Sequence, residues 1–210
     1  MSNKPIIEML PVGMLETNCV IVVCPDTREA MVVDPGGDAD LILKTVDRLR
    51  ARVKYIVNTH AHPDHILANS QIKAATGAPI VIHPIEAPML LSMPRELTFW
   101  IAEELPKTPA DVLVNEGDEL TIGNVTLKVL HTPGHTRGHI SLVTDGIAIV
   151  GDVLFLQSIG RTDFPGGSFR ELIDSIKTKL FPLGDDTVVY PGHGPTTTIG
   201  QERMYNPFLH

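Results

Sequence analysis

Apolar and polar positions along this chain follow first a strand period, then a helix period, and then repeat that succession. Residues 6 to 34 read as strands. Thr17 to Cys24 is rich in β-branched residues, and Ala30 to Asp34 is a short apolar run ending in the turn signal Pro35-Gly36-Gly37. With Asp38 in a capping position, Leu41, Ile42, Thr45, Val46 and Leu49 then fall on one face of a helix. Val53 to Val57 predicts a buried strand, Ile66 to Ala75 a helix stopped by Gly77, and Pro79 to Ile82 another strand. From Glu119 the strand pattern resumes. Glu119 to Ile122 and Val125 to Leu130 flank the hairpin signal Gly123-Asn124, and Ile140 to Thr144 and Ile147 to Val150 flank Asp145-Gly146. Ser168 to Leu180 predicts an amphipathic helix and Thr187 to Tyr190 a last strand. This order describes two similar halves, each a sheet with helices outside it, in one α/β domain spanning residues 1–210.

Residues 84 to 110 interrupt the pattern with Pro84, Pro88, Pro94, Pro106 and Pro109, the only tryptophan (Trp100), and Met89, Met93 and Phe99. This stretch reads as a partly helical excursion over a site, or equally as a structural one. Composition narrows the functional classes. Hydrophobic residues make up 43% and charged residues 20%, as in an ordinary globular domain. Seventeen basic against 25 acidic residues give a net charge of −8, which weighs against a phosphate-backbone ligand and predicts no nucleic-acid partner. No apolar run is long enough to span a bilayer or to resemble a signal peptide, so the expected compartment is the cytoplasm, without a membrane partner. Cys19 and Cys24 sit on one strand and its end, too close along the chain to pair, and read as reduced thiols in or near the core.

The chemistry concentrates in Thr59-His60-Ala61-His62-Pro63-Asp64-His65, between an apolar strand and a helix. Buried imidazoles and carboxylates need polar partners, so this is not a core pattern. His60 and His62, two apart at a strand end, point the same way, and Asp64 and His65 follow in the turn. Four potential ligands from one short loop exceed what a single zinc site takes from such a segment, and two adjacent metals account for the count better. Further candidates follow other strands: His135 in His131-Thr132-Pro133-Gly134-His135, Asp152 after Gly151, and His193 in Pro191-Gly192-His193-Gly194. A carboxylate such as Asp152 can bridge two cations, one oxygen to each.

The set His60, His62, Asp64, His65, His135, Asp152 and His193 resembles the full ligand pattern of the metallo-β-lactamase superfamily, over essentially the whole chain. The resemblance implies an αβ/βα four-layer sandwich, two packed β-sheets with helices on both outer faces. It implies one metal on His60, His62 and His135, a second on Asp64, His65 and His193, and Asp152 bridging. Aspartate at that place is similar to the glyoxalase II branch and unlike zinc β-lactamases. Gly160-Arg161-Thr162-Asp163-Phe164-Pro165-Gly166-Gly167, Pro191-Gly192-His193-Gly194-Pro195 and Asn206-Pro207-Phe208 resemble the short bacterial glyoxalase II-like group. One departure stands out: the helical C-terminal domain that grips glutathione in full-length glyoxalase II has no counterpart in the residues after His193.

The expected activity is therefore thioester hydrolysis, of S-lactoylglutathione or a related acyl-thiol, by a hydroxide shared between two divalent cations. Asp64 would orient that hydroxide as well as bind metal. Zinc is the first expectation for the cations, with iron and manganese also suited to nitrogen and oxygen donors. The alternatives are a persulfide dioxygenase using a single iron, a phosphodiesterase or nuclease, and a β-lactamase. Asp152 and the absence of a signal peptide disfavour the last of these. Asp34 is either an orienting partner of a ligand histidine or a turn cap. His131 and His139 read as structural, His83 and His210 as unconnected with the site. Arg161 can bind a substrate carboxylate or brace its loop through Asp163. The acyl group, the thiol carrier and the oligomeric state are not legible.

Overall fold

The computed structural model describes residues 4–98, 105 and 107–210. It consists of two six-stranded sheets packed face to face with helices outside, the α/β sandwich expected from the sequence. The first sheet runs in sequence order: β1 (Ile6–Val12), β2 (Thr17–Val23), β3 (Glu29–Val33), β4 (Arg52–Val57), β5 (Ile80–Ile82) and β6 (Val112–Leu113). Between them lie α1 (Ala39–Arg48), α2 (Pro63–Ile66) and α3 (Asn69–Thr76). The second sheet is built from β7 (Glu119–Ile122), β8 (Val125–His131), β9 (Ile140–Thr144) and β10 (Ile147–Gly151). A small hairpin, β11 (Leu154–Phe155) and β12 (Ser158–Ile159), precedes α4 (Phe169–Ser175). β13 (Val188–Pro191), β14 (Thr197–Thr198) and α5 (Ile199–Tyr205) complete the chain, and the second sheet has the order β14-β13-β10-β9-β8-β7.

β2 shows why its sequence is a continuous apolar run. Every residue of it is buried, because both faces of the sheet are covered. Val20, Val22 and Cys24 point inward, where they join Met31, Val57, Leu127, Leu142 and Ile149 in the core between the sheets. Cys19, Ile21 and Val23 point outward and pack under Ile42, Val46 and Ile72 of the helices. Leu172, Ile176 and Ile199 cover the outer face of the second sheet in the same way. Both cysteines are free and buried, as expected.

Several boundaries differ from the sequence reading. The helix expected at Ile66 starts earlier, inside the histidine motif, with Pro63 at its first turn. It then breaks, and α3 starts at Asn69, because the Ala68 amide donates to the Pro35 carbonyl of the neighbouring turn. Asp38 stands at the α1 N-terminus but does not cap it; its carboxylate accepts from the Gly13 amide at 2.8 Å. The helix after Ser168 is α-helical only to Ser175 and widens into a π turn over Ile176–Leu180. In the proline-rich excursion, the described residues form 3-10 turns at Ala87–Leu90 and Arg95–Leu97; Phe99, Trp100 and Pro106 lie outside the described residues. Among the described residues no helix is long and apolar enough to cross a membrane.

Candidate metal centre

The histidine motif leaves β4, and the loops after β8, β10 and β13 converge on it. Close backbone approach makes this possible. A Cβ at Gly36 would overlap the Asp64 carbonyl oxygen, one at Gly160 the Asp152 carbonyl oxygen, and one at Gly192 the Asp152 carboxylate. Hydrogen bonds then join the loops. Ile140 N donates to Thr59 O at 2.9 Å, and Asn18 Nδ2 reaches Pro191 O at 3.0 Å and Gly194 O at 2.8 Å.

Two groups of donors result. His60 Nε2 and His135 Nε2 lie 3.0 and 2.9 Å from His62 Nδ1, three ring nitrogens aimed at one point. Asp64, His65 and His193 form the second group. Asp64 Oδ2 lies 3.4 Å from His65 Nε2 and 3.2 Å from His193 Nε2. Within each group all donor atoms lie within 4.8 Å of one another, a spacing that suits a single cation. Asp152 sits between the groups. Its Oδ1 is 3.5 Å from His65 Nε2, and its Oδ2 is 3.5 Å from His135 Nε2.

The donor set fits metal ions on two counts. His65 Nε2 and Asp152 Oδ1 are buried without a hydrogen-bond partner, although a buried polar atom left unpaired is costly. Both are donors facing the space between the groups. Charge supplies the second count. Burial and the surrounding histidines hold His60 well below its usual range, and burial with His135 takes His62 down to about 3, so both rings are neutral, the ligating form. Burial opposes ionisation of Asp64, yet His65 and the His193 hydrogen bond overcome it and hold the carboxyl at about 2. Burial opposes ionisation of Asp152 too, and His65 and His135 hold it well below the carboxylate range. Burial likewise works against charge on His65, but Asp152, Asp64 and Asp34 outweigh it and draw its basicity well up. Three carboxylates around one buried ring call for positive charge at this place.

The remaining ring nitrogens are held by partners that fix which nitrogen faces inward. Asp34 Oδ2 accepts from His65 Nδ1 at 2.9 Å and from Thr59 Oγ1 at 2.7 Å, and that hydroxyl accepts from His60 Nδ1 at 3.0 Å. One carboxylate thus orients two histidines, the first of the two roles considered for Asp34. The same geometry accounts for the near approach of Asp34, His60 and His65, a third acid–imidazole cluster whose carboxylate is already engaged. His135 Nδ1 donates to Arg161 O at 2.7 Å and His193 Nδ1 to Leu15 O at 3.2 Å. His139 is structural: its Nε2 accepts from the Asp152 amide at 3.2 Å and its Nδ1 meets Thr132 Oγ1. His131 donates to Arg137 O and stacks on His83. The Arg161 guanidinium braces its own loop, paired with Asp163 at 2.7 and 2.8 Å and lying 3.6 Å over the Phe164 ring.

Three contributors had no sequence signal strong enough to single them out. Thr17 Oγ1 donates to Asp64 Oδ2 at 3.0 Å. Glu86, 2% exposed, accepts from the Ala61 amide at 3.1 Å and the Gly138 amide at 2.9 Å, joining the two loops that carry the first donor group. Glu202, fully buried in α5, accepts from Gln157 N at 2.8 Å and Asn206 Nδ2 at 2.8 Å, and Asn206 also holds Ser158 O. These bonds fix the β11–β12 hairpin, whose Phe155 and Ile159 wall a cleft of about 550 Å³ over the centre.

Residues 12–193 match the metallo-beta-lactamase superfamily. The chain belongs to the metallo-β-lactamase superfamily. Among its relatives is hydroxyacylglutathione hydrolase GloC of Haemophilus influenzae, 39% identical over 97% of both chains. The metallo-β-lactamase fold is shared at 38% identity and a TM-score of 0.91 with the solved BLEG-1 B3 metallo-beta-lactamase, over 97% of this chain and 99% of that one. TTHA1623, solved in a di-iron-bound form, is 32% identical with a TM-score of 0.85, over 96% of this chain and all of that one. Metallo-hydrolase chemistry is thus common to the superfamily and the named relative.

Proposed function

We propose that this chain is a two-metal thioesterase of the hydroxyacylglutathione hydrolase type. His60, His62 and His135 would hold one divalent cation and Asp64, His65 and His193 the other, with Asp152 between the two groups. The observation that carries the reading is the position of Asp152 between the donor groups, its Oδ1 nearest His65 and its Oδ2 within 3.5 Å of His135 and 3.8 Å of His193. A single-iron persulfide dioxygenase would leave Asp64, His65 and His193 without a task. When bound, a pair of divalent cations makes water acidic enough to attack a carbonyl at neutral pH and polarises that carbonyl. The protein's own residues supply the rest. Asp64, held by Thr17, accepts a hydrogen bond from the attacking oxygen and turns its lone pair toward the carbonyl carbon. A new carbon–oxygen bond replaces the carbon–sulfur bond, so the acyl group leaves as a carboxylate and the thiol as a thiolate, with the substrate seated in the cleft walled by Phe155 and Ile159.

The thioester assignment draws on the relative named a hydroxyacylglutathione hydrolase, whose length this chain covers to 97%. The match spans 97% of that relative as well as of this chain, so the assignment draws on no part of it that this chain leaves unmatched. Zinc, iron and manganese all suit these nitrogen and oxygen donors. The substrate is a small molecule, and the proposed compartment is the cytoplasm.

The test is hydrolysis of S-lactoylglutathione, with metal content measured on the same preparation and nitrocefin as a parallel β-lactam substrate. The expected result is thioester turnover with about two metals per chain, abolished in Asp152→Ala. Full metal occupancy with nitrocefin cleaved and the thioester untouched would sink the thioester assignment while leaving the centre. One iron per chain with persulfide oxygenation would sink both.

A further inference from the structure

The cleft over the centre has two unlike walls. On one side Phe164 stands edge-on to His62, ring centroids 5.8 Å apart, and Leu97 adds a second apolar surface. The other side is the β11–β12 hairpin. Phe155 and Ser158 are cross-strand partners in it, so their side chains emerge on one face, side by side. Phe155 stands edge-on to His193 at 6.2 Å, which sets this face beside the second donor group. Ser158 is half-buried and lines the cleft, and among the described residues its hydroxyl has no hydrogen-bond partner. The other polar side chains of the cleft are engaged. They are the proposed ligands and Arg161, whose guanidinium is bound twice by Asp163. A hairpin with strands of two residues is marginal on its own, yet this one is firmly held. The Gln157 amide donates to Glu202 at 2.8 Å, and the Ser158 carbonyl accepts from Asn206 Nδ2 at 2.9 Å. Glu202 and Asn206 are themselves fully buried and joined at 2.8 Å.

We propose that Ser158 is a specificity residue, whose hydroxyl bonds an uncharged polar group of the substrate, a hydroxyl or an amide within a few bonds of the thioester. Phe155 packs against the adjoining carbons, and Asn206 and Glu202 are positioning residues that hold the serine in place. The inference rests on the thioesterase reading and adds to it how the two halves of an acyl-thiol are told apart. The half over the hairpin is polar and the half over Phe164 is apolar. A hydroxyl with no partner in the protein favours a ligand that supplies one. Water reaches a half-buried serine and can replace a missing ligand group, so the effect is that of one neutral hydrogen bond.

The polar group can lie on the acyl or on the thiol side, and paired substrates separate the two. S-lactoyl- and S-propionyl-N-acetylcysteamine differ in an acyl-side hydroxyl; S-propionyl-N-acetylcysteamine and S-propionyl-pentanethiol differ in a thiol-side amide. The readout is the ratio of kcat/KM within each pair, compared between variants so that intrinsic reactivity cancels. In Ser158→Ala the preference for the polar member of one pair falls roughly 2–10-fold. Metal content and melting temperature stay unchanged, because the hydroxyl has no bond to lose. Ser158→Thr, which keeps a hydroxyl, retains part of the preference. Asn206→Ala lowers the same preference through KM rather than kcat, at full metal occupancy. Ratios unchanged in Ser158→Ala for both pairs overturn the assignment. Ketone analogues with a methylene in place of sulfur resist hydrolysis and report binding alone in calorimetric titration. A Ser158-dependent preference for the polar ketone, with none of the thioesters cleaved, would retain the contact and reject the thioesterase reading. Equal affinity ratios in wild type and Ser158→Ala would reject the contact whatever the turnover.

Discussion

Asp34 combines backbone strain with a positioning task. Its φ of 51° places it in the left-handed region, which aspartate and asparagine tolerate better than other side chains. Asp34→Asn keeps that conformation and the bond to Thr59 but loses the charge facing His65. The expected outcome is metal affinity lower by roughly 10–100-fold with the fold intact, read by chelator competition alongside circular dichroism. Glu86 acts on the loops rather than on the rings. In Glu86→Ala the Ala61 and Gly138 amides are left buried without an acceptor, at a cost of roughly 2–5 kcal/mol in urea unfolding. Glu86→Gln, which keeps one acceptor, should lose less. The clustering of these histidines was legible because four polar residues crowd the end of an apolar strand. Thr17, Glu86 and Glu202 were not, because a lone threonine or glutamate in a sequence looks like any surface residue, and only the folded chain shows which amide it meets.

At the scale of elements, the turn at Pro35-Gly36-Gly37 lets β3 run directly beneath the histidine loop. Gly36→Ala sets a methyl group against the Asp64 carbonyl, a backbone atom with little room to move, and should destabilise the protein by about 1–3 kcal/mol or more while disturbing metal binding. Asp111 ties β5 to α3 through the Ile80 amide at 2.8 Å and Lys73 at 2.7 Å. The Lys73 hydrogen bond, and after it the Ile80 amide, lower the Asp111 carboxyl from its usual range. Its folded state is therefore stabilised above the unfolded carboxyl's range, and that contribution is lost as pH falls through the folded one. The pair is a third exposed, so Asp111→Asn should cost less than ~1 kcal/mol at pH 7 and nothing in strong acid, as urea midpoints at the two pH values would show. Long, strongly periodic elements were readable to within a few residues. The β11–β12 hairpin was not: its strands are two residues each, and Gln157 takes the positive φ, 55°, at a turn carrying no glycine or asparagine signal.

For the whole molecule, each proposed ligand trio draws on both sheets. His60, His62, Asp64 and His65 follow β4 of the first, whereas His135, Asp152 and His193 follow strands of the second. Bound cations therefore cross-link the two layers. Chelation should lower the unfolding free energy by about 3 kcal/mol for each site held at a hundredfold excess over its Kd, a shift that calorimetry with and without chelator would measure. The two-layer architecture was legible from the order of periods, although which faces meet depends on packing that no local pattern records. The same division also sets a timetable. As the chain leaves the ribosome, the first trio is complete once residue 135 has emerged, the bridge arrives with residue 152, and the second trio waits for residue 193. The donors of one trio are therefore presented before those of the other, and the order of synthesis sets an order of presentation.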